Sequence, residues 1–237
     1  MKELIKRILK LSPIPLSRNH RYDLLTKKII KSLHTDSNCI DVGCFKGEIL
    51  DLMRQAAPQG QHFGVEPIPK MYQQLKKKYQ HSNCTILNYA ASNQAGTSSF
   101  NYVTSNPSYS GLLKRDYDKP NEVDESITVK TELLDKLIPL NIKIDLIKID
   151  VEGAELLVLE GAQKIINTYK PIVIFEHGLG ASEHYGATPD KIFAFFSAKE
   201  MSISNLSSYI KKQKPLSLEA FARQYHGKEN YYFVAHQ

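Results

Sequence analysis

The sequence predicts a doubly wound α/β fold, in which a mostly parallel sheet is covered by helices on both faces. From residue 39 onwards, short apolar strand patterns alternate with amphipathic helical patterns, and such alternation requires crossover helices between parallel strands. The 237 residues, 42% hydrophobic and 24% charged, are enough for one domain with a sizeable core. We therefore expect a basic helical lead-in over residues 1–35 and one α/β domain over residues 36–237.

The individual elements follow from hydrophobic period, caps and breakers. The predicted strands are 39–44, 62–66, 84–91, 144–150, 171–177, 202–206 and 230–236. The predicted helices are 1–11, 21–34, 47–56, 68–80, 154–169 and 188–200. Residues 92–143 have the least regular pattern, with short extended pieces at 98–103 and 126–131 around a polar loop.

The composition argues against several classes of protein. The longest apolar runs have four or five residues, far below the ~20 that a membrane helix needs, and the N-terminus lacks the apolar core of a secretory signal. The cytosol is therefore the expected compartment. Cys39, Cys44 and Cys84 are odd in number and form no C-x-x-C pair, which argues against a disulfide framework and a zinc site.

Positive charge is concentrated at the N-terminus. Residues 1–31 hold nine Lys or Arg against two acidic residues, whereas the whole chain has a net charge of +6. The amphipathic stretch 1–11 has two interpretations, a helix packed on the domain with a solvated basic face, which we favour, or a peripheral contact with a membrane or another anionic surface. No basic and aromatic pattern recurs in the rest of the chain, so we expect no nucleic-acid partner.

The stretch "CIDVGCFKGEIL", residues 39–50, places a turn with Gly43 and Gly47 between a strand and a helix. A phosphate loop is excluded because Glu48 stands where that motif needs Lys. A dinucleotide fingerprint lacks its middle glycine, since Phe45 occupies that position, and Glu48 would repel a pyrophosphate. The turn therefore suits a nucleoside cofactor without phosphates.

Two acids at strand ends support that interpretation. Asp41 ends the first strand and suits a cationic amino acid moiety, while Glu66 ends the next strand 25 residues later, near the ~20-residue interval of a ribose-binding acid. The alternative is that Glu66 is a solvated strand-end acid and that Gly43 and Gly47 serve only a tight turn.

Several stretches resemble the FkbM family of S-adenosylmethionine-dependent methyltransferases. They are "CIDVGCFKGEI", "FGVEPIPKMYQQLKKK", "ILNYAASNQAGTSSF", "PIVIFEHG" and, most specific, "IDLIKIDVEGAELLVLEGA", within residues 38–178. The resemblance implies a Rossmann-like class I methyltransferase fold over residues 36–237, with a mostly parallel seven-stranded sheet and an antiparallel last strand. It also implies S-adenosyl-L-methionine as cofactor and a bias toward hydroxyl oxygens of natural products or glycans.

The resemblance also implies which residues of this sequence contact the cofactor. Asp41, Gly43, Cys44 and Gly47 are expected on the methionine side and Glu66 at the ribose, and three residues are expected near the adenine: Ala90, Ala91 and Ser92. Cys44 and Phe45 depart from the Ala-Asn that is frequent in the family.

Candidate catalytic groups follow two further strands. Asp150 is expected nearest the transferred methyl, and Glu152 is expected to orient the acceptor or to cap the next helix. His177 is the candidate general base because its ordinary pKa lies near neutrality, although a structural role is the alternative. Asp150, Glu152, Glu176 and His177 also suit a divalent cation, which we rank below a metal-free site.

Two irregular segments are expected to shape the acceptor site. Residues 104–120 carry Asn106, Ser108, Tyr109 and Ser110, which suit a sugar-like acceptor, and residues 207–230 are a candidate lid or homodimer contact. The predicted function is O-methylation of a glycan, glycolipid or secondary metabolite. The alternatives are a catalytically idle S-adenosylmethionine-binding module that serves a partner and, with less support, a nicotinamide-dependent oxidoreductase.

Overall fold

The computed structural model describes residues 14–117 and 121–237, which form two sheets. The larger sheet has seven strands: β1 (Cys39–Val42), β2 (His62–Val65), β3 (Cys84–Leu87), β7 (Leu146–Ile149), β8 (Ile172–Glu176), β9 (Ser202–Asn205) and β10 (Tyr232–His236). The smaller sheet has three: β4 (Ala90–Ala91), β5 (Gly96–Val103) and β6 (Asp124–Glu132). The predicted helix over residues 1–11 lies outside the described residues.

The strand order in the larger sheet is β3-β2-β1-β7-β8-β10-β9. The first five of these strands are parallel, and β10 runs antiparallel to both of its neighbours. The predicted doubly wound, seven-stranded sheet with a reversed last strand is therefore confirmed. The order changes direction between β1 and β7, and open α/β sheets bind their ligands outside the carboxyl ends of strands at such a point.

Helices cover both faces of the larger sheet. In the described residues they are α1 (Arg18–Ile30), α2 (Glu48–Ala56), α3 (Pro69–Tyr79), α4 (Leu134–Leu137), α5 (Glu155–Glu160), α6 (Gln163–Tyr169), α7 (Pro189–Ser197), α8 (Leu206–Ile210) and α9 (Leu218–His226). Apolar side chains of α1, α2, α3 and α8 pack on one face. Those of α4, α5, α6, α7 and α9 pack on the other. None of the described helices is long and apolar enough to cross a membrane.

The predicted strand over 84–91 is in fact two strands in different sheets. Asn88 lies between β3 and β4, and its side-chain amide donates to the carbonyl oxygens of Glu66 and Pro67 at 2.9 and 3.0 Å. These bonds turn the chain away from the larger sheet, so that β4 pairs with β6 instead. The segment 92–143 is also more regular than its sequence suggests, because β5 and β6 form an antiparallel pair of eight and nine residues.

The predicted helix over 154–169 is divided into α5 and α6 at Gly161. A Cβ on Gly161 would lie 2.1 Å from the carbonyl oxygen of Ser92, so the backbone there approaches the end of β4 directly. The segment 207–230, predicted as a lid or dimer contact, contains α9, whose Phe221 is fully buried in the core. The middle of this segment is therefore part of a helical layer.

Candidate active site

Gly43 and Gly47 shape the turn that follows β1. Both have positive φ, 77° and 74°, and a Cβ on Gly43 would lie only 2.0 Å from the carbonyl oxygen of Asp150. A Cβ on Gly47 would lie 2.5 Å from the hydroxyl of Tyr79, and Gly47 directly precedes α2. The turn therefore brings bare backbone against the loop that carries Asp150, which a residue with a side chain would prevent.

Asp41 lies at the carboxyl end of β1, next to a buried lysine. The strand register pairs Asp41 with Lys148 of β7, and both side chains are more than nine-tenths buried. Burial raises the pKa of Asp41 to about 6, against the opposing influences of the Lys148 charge and the Leu50 amide. No described donor makes a well-formed hydrogen bond to either carboxylate oxygen. A cavity of about 600 Å³, open to solvent, is lined here by Asp41, Gly43, Cys44, Lys148 and further residues of the turn.

Glu66 is fixed by two backbone amides on opposite sides of its carboxylate. Its Oε2 accepts from Phe45 N and its Oε1 accepts from Ile68 N, both at 2.9 Å. Burial raises the pKa of Glu66 to about 7, although these two hydrogen bonds act in the opposite direction. Glu66 lines a second cavity of about 590 Å³, also open to solvent, together with Gly43 and the predicted adenine neighbours Ala90 and Ala91.

The walls of this second cavity are mostly apolar and suit a flat ring. They include Phe45, Val65, Ile68, Phe100 and Leu112, so the smaller sheet closes the cavity on one side. Ser92 is buried and lies outside this lining, because the chain has turned into the start of the loop before β5. The thiol of Cys44 packs near Gly64 in the core, so this residue offers its backbone to the neighbouring cavity.

Three carboxylates meet where β7 and β8 end. Oxygen atoms of Asp150, Glu152 and Glu176 lie within 4.8 Å of one another. Lys148 Nζ donates to Asp150 Oδ2 at 2.7 Å, and Arg115 forms an ion pair with Glu152. Two of the three acids are therefore each paired with a basic side chain. The metal-free site that the sequence analysis favours, and its alternative of a divalent cation held by these acids and His177, both stay predictions.

The environment separates the pKa values of the acids. For Asp150 the desolvating effect of burial is outweighed by the Lys148 charge and by hydrogen bonds, so its pKa lies below the ordinary value. Burial, reinforced by the Asp150 charge, raises the pKa of Glu152 to about 8 despite Arg115. Burial and the neighbouring acids place the pKa of Glu176 well above its ordinary value. The environment thus favours the ionised form of Asp150 and disfavours the ionised form of Glu176.

A third cavity of about 1240 Å³, open to solvent, extends from this cluster to the surface. Its wall is rich in aromatic side chains, namely Tyr109, Tyr225, Tyr231 and Tyr232. Of these only Tyr109 was singled out from the sequence. Of the three others, Tyr225 lies in α9, Tyr231 directly precedes β10 and Tyr232 begins it, so all three are distant in sequence from every strand-end acid. Among the four residues singled out in the 104–120 loop, Ser108 and Tyr109 line this cavity, and the Ser110 hydroxyl oxygen accepts a hydrogen bond from Val103 N.

The three cavities converge on the same few side chains. Ser108, Asp150 and Glu152 line all of them. Asp150 and Glu152, both predicted from the sequence as catalytic, therefore lie together at the junction. Glu152 adopts φ of 56° and the following Gly153 φ of 105°, so the loop after β7 is bent sharply to bring Glu152 there.

His177 does not reach this junction. Its side chain is fully buried, stacked on Tyr225 with ring centroids 4.5 Å apart and on Phe221 at 5.6 Å. Neither ring nitrogen has a hydrogen-bond partner among the described residues, and burial lowers the pKa of His177 to about 4. A general base must reach the proton that it removes, so this placement supports the structural alternative for His177.

Comparison with known protein families shows to which family the chain belongs. The sequence profile described as "Methyltransferase FkbM domain" matches residues 41–203, well over half of the 237 residues. The chain belongs to this FkbM family. The matched range of the FkbM domain begins at Asp41 and includes Glu66, Asp150 and Glu152, whereas Arg18 and Tyr232 of the third cavity lie outside it.

A solved structure shares the fold of this FkbM domain. Methyltransferase FkbM from Methylobacillus flagellatus KT is similar with a TM-score of 0.52 and 15% identity, over 86% of this chain. The chain spans 45% of the length of that protein. A TehB-like SAM-dependent methyltransferase from Corynebacterium glutamicum aligns with a TM-score of 0.43 and 12% identity, over 99% of this chain and 94% of that one. A search of curated proteins gave no match.

Proposed function

We propose that the chain is an S-adenosylmethionine-dependent methyltransferase that acts on a hydroxyl oxygen of a glycan, a glycolipid or a secondary metabolite. One observation carries the proposal: three cavities of different character share Ser108, Asp150 and Glu152. A group that passes between two bound molecules needs such a junction, since transfer depends on holding donor and acceptor in line.

The cavity around Glu66 fits an adenosine. The apolar walls of the cavity suit a purine ring. Each carboxylate oxygen of Glu66 accepts a hydrogen bond from one backbone amide. Because a carboxylate oxygen offers about two acceptor sites, each keeps one for a ribose hydroxyl. The two amides also fix the direction in which those sites point.

The cavity around Asp41 fits the amino acid end of the cofactor. Both Asp41 oxygens are buried without a well-formed hydrogen bond, and a buried carboxylate is stabilised by a cationic donor. The ammonium of the methionine moiety is such a donor, and Gly43 leaves backbone exposed beside it. When bound, S-adenosylmethionine supplies an electrophilic methyl group on a positively charged sulfur.

The proton of the acceptor hydroxyl is accepted by the acid cluster and not by His177. Asp150 stays ionised and is held by Lys148, so it can accept a hydrogen bond and orient the hydroxyl. Glu152 has a pKa of about 8, raised chiefly by burial, which makes it the stronger base of the two at the junction. We assign proton acceptance to Glu152 and orientation to Asp150.

The proposal is tested by incubating the full chain with S-adenosylmethionine labelled in its methyl group and with a cell extract. We expect release of S-adenosylhomocysteine and labelled product, and loss of both with Asp150→Asn. Asp190→Asn, which removes an exposed acid of α7, is the matched control and should keep activity. Cofactor binding without release in any extract would instead support the catalytically idle module.

A further inference from the structure

The third cavity carries positive charge at its outer wall. Arg18 begins α1 and Lys228 follows α9, and both residues are exposed and line the cavity. Arg18 Nη1 donates to the carbonyl oxygen of Lys228 at 2.9 Å, which holds the two residues side by side. Within the described residues, 14–117 and 121–237, no acidic side chain forms an ion pair with Arg18 or Lys228.

The acids at the inner end of the same cavity do not offset this charge. Asp150 is paired with Lys148, and Glu152 with Arg115. Burial and the acidic neighbours raise the pKa of Glu176 well above the ordinary value, which disfavours its charged form. The acids at the floor of the cavity are therefore paired with cations or disfavoured in their charged form, whereas the outer wall carries positive charge.

The outer wall is also held in place by aromatic and amide side chains. Arg18 lies over the ring of Tyr231, 6.0 Å from its centroid, and the Tyr231 hydroxyl donates to Asn19 Oδ1. Asn230 accepts from the Tyr22 hydroxyl at 2.9 Å. A charged site that is already ordered loses little entropy when it binds, so it favours a specific ligand over diffuse attraction.

We propose that Arg18 and Lys228 form a subsite for an anionic group on the methyl acceptor, with Tyr231 as a platform for the ring that bears it. The inference rests on the proposed function and narrows its substrate class to acidic glycans or acidic metabolites. A carboxylate, a sulfate or a phosphate shares the required chemistry, since each accepts charge-assisted hydrogen bonds from guanidinium and ammonium groups.

Inorganic sulfate is a direct probe of the subsite and needs no activity. We expect that replacing chloride by sulfate at constant ionic strength shifts the amide NMR signals of residues 227–231 in the full chain. The double variant Arg18→Gln, Lys228→Gln should bind sulfate about ten-fold more weakly or worse, the effect of losing charge-assisted hydrogen bonds. Arg18→Lys, which keeps the charge, should retain most of the affinity.

The matched control is the double variant Lys70→Gln, Lys77→Gln, which removes two exposed charges of α3 outside the lining of the third cavity. It should bind sulfate as the unmodified chain does. Equal sulfate affinity in the Arg18 and Lys228 double variant, or no sulfate-dependent shift at residues 227–231, would overturn the inference.

A second arm uses the labelled products of the extract reaction, separated on an anion exchanger. Retained label supports an acidic acceptor, and label that passes through unretained overturns the inference while leaving methyl transfer intact. If no label forms and no S-adenosylmethionine binds, the proposed function fails, and the sulfate titration alone decides whether the anion subsite exists.

Discussion

Tyr232 of β10 donates a 2.5 Å hydrogen bond to Oδ2 of Asp150, which follows β7 two strands away in the sheet. The same oxygen accepts from Lys148 Nζ at 2.7 Å. Two donors on one oxygen fix the direction of the carboxylate and favour its ionised form. The reversed last strand of the sheet thus contributes directly to the geometry of the junction.

Removing this donor tests whether Asp150 must be oriented. In Tyr232→Phe we expect kcat to fall about ten-fold or more, because a hydrogen bond to a charged group contributes roughly 1.5–3 kcal/mol. The KM for S-adenosylmethionine should change little, since Tyr232 lines only the third of the three cavities that meet at Asp150. Steady-state kinetics measure both. Tyr209→Phe, outside these linings, is the control, and an unchanged kcat in Tyr232→Phe would contradict the orienting role.

The assignment of the base to Glu152 predicts a rising pH profile. Because burial raises the pKa of Glu152 to about 8, the ionised form that accepts a proton grows as pH increases toward that value. We expect kcat to rise with pH through a midpoint near pH 8 and to level off only well above it, and Glu152→Gln to lose about 100-fold or more in rate. A profile with its midpoint near 6.5 that disappears in His177→Leu would return the role to His177.

The buried His177 should make the stability of the fold, and not the rate of catalysis, depend on pH. Burial holds its pKa at about 4, below the ordinary 6.5, so the unfolded chain binds more protons between these values. The free energy of unfolding should therefore fall as pH drops from 6.5 to 4, by at most roughly 3 kcal/mol from this residue.

Urea unfolding of His177→Leu over pH 4–7 measures that contribution. The variant should lose this part of the pH dependence, whereas the control His81→Leu, which replaces an exposed histidine between α3 and β3, should keep it. Identical pH dependence in His177→Leu and the unmodified chain would show that His177 titrates normally.

Gly43 is expected to be intolerant of a side chain. Gly43→Ala should lower the free energy of unfolding by about 3 kcal/mol or more, because a Cβ would meet the Asp150 carbonyl oxygen at 2.0 Å and because φ is positive. Gly180→Ala is the matched control: its φ is 103°, yet nothing lies within 4 Å of the added Cβ, so only the backbone strain of roughly 1–2 kcal/mol remains. Equal losses in urea unfolding would show that the close approach does not matter.

The strand-end acids were predictable from the sequence because parallel strands bring their carboxyl ends to one edge. Asp41, Glu66, Asp150 and Glu152 all lie there, lining the converging cavities. A rule based on strand ends alone misplaced His177, since successive side chains of a strand point to opposite faces. Glu176 faces the cluster, and the next residue therefore faces α9.

The partners of these acids were harder to foresee. Lys148 was visible as the one charge in the buried strand "LIKI", which signals a buried ion pair, but its partners follow only from the strand register. Arg115 comes from a segment with no strong pattern, and Tyr231 and Tyr232 lie in the predicted strand over 230–236; all three reach the site through tertiary packing. The division of residues 84–91 between two sheets likewise depends on the side-chain bonds of Asn88, which hydrophobic period does not encode.

The central claim is that a carboxylate-lined site holds a nucleoside sulfonium, and calorimetric titration of the full chain with S-adenosylhomocysteine, S-adenosylmethionine and NAD tests it most directly. We expect binding of the first two and none of NAD. Burial raises the pKa of Glu66 to about 7, so the ionised, accepting form is lost as pH falls, and affinity should be about ten-fold weaker at pH 6 than at pH 8. A clear isotherm with NAD and no heat from either sulfur-containing ligand would contradict the claim.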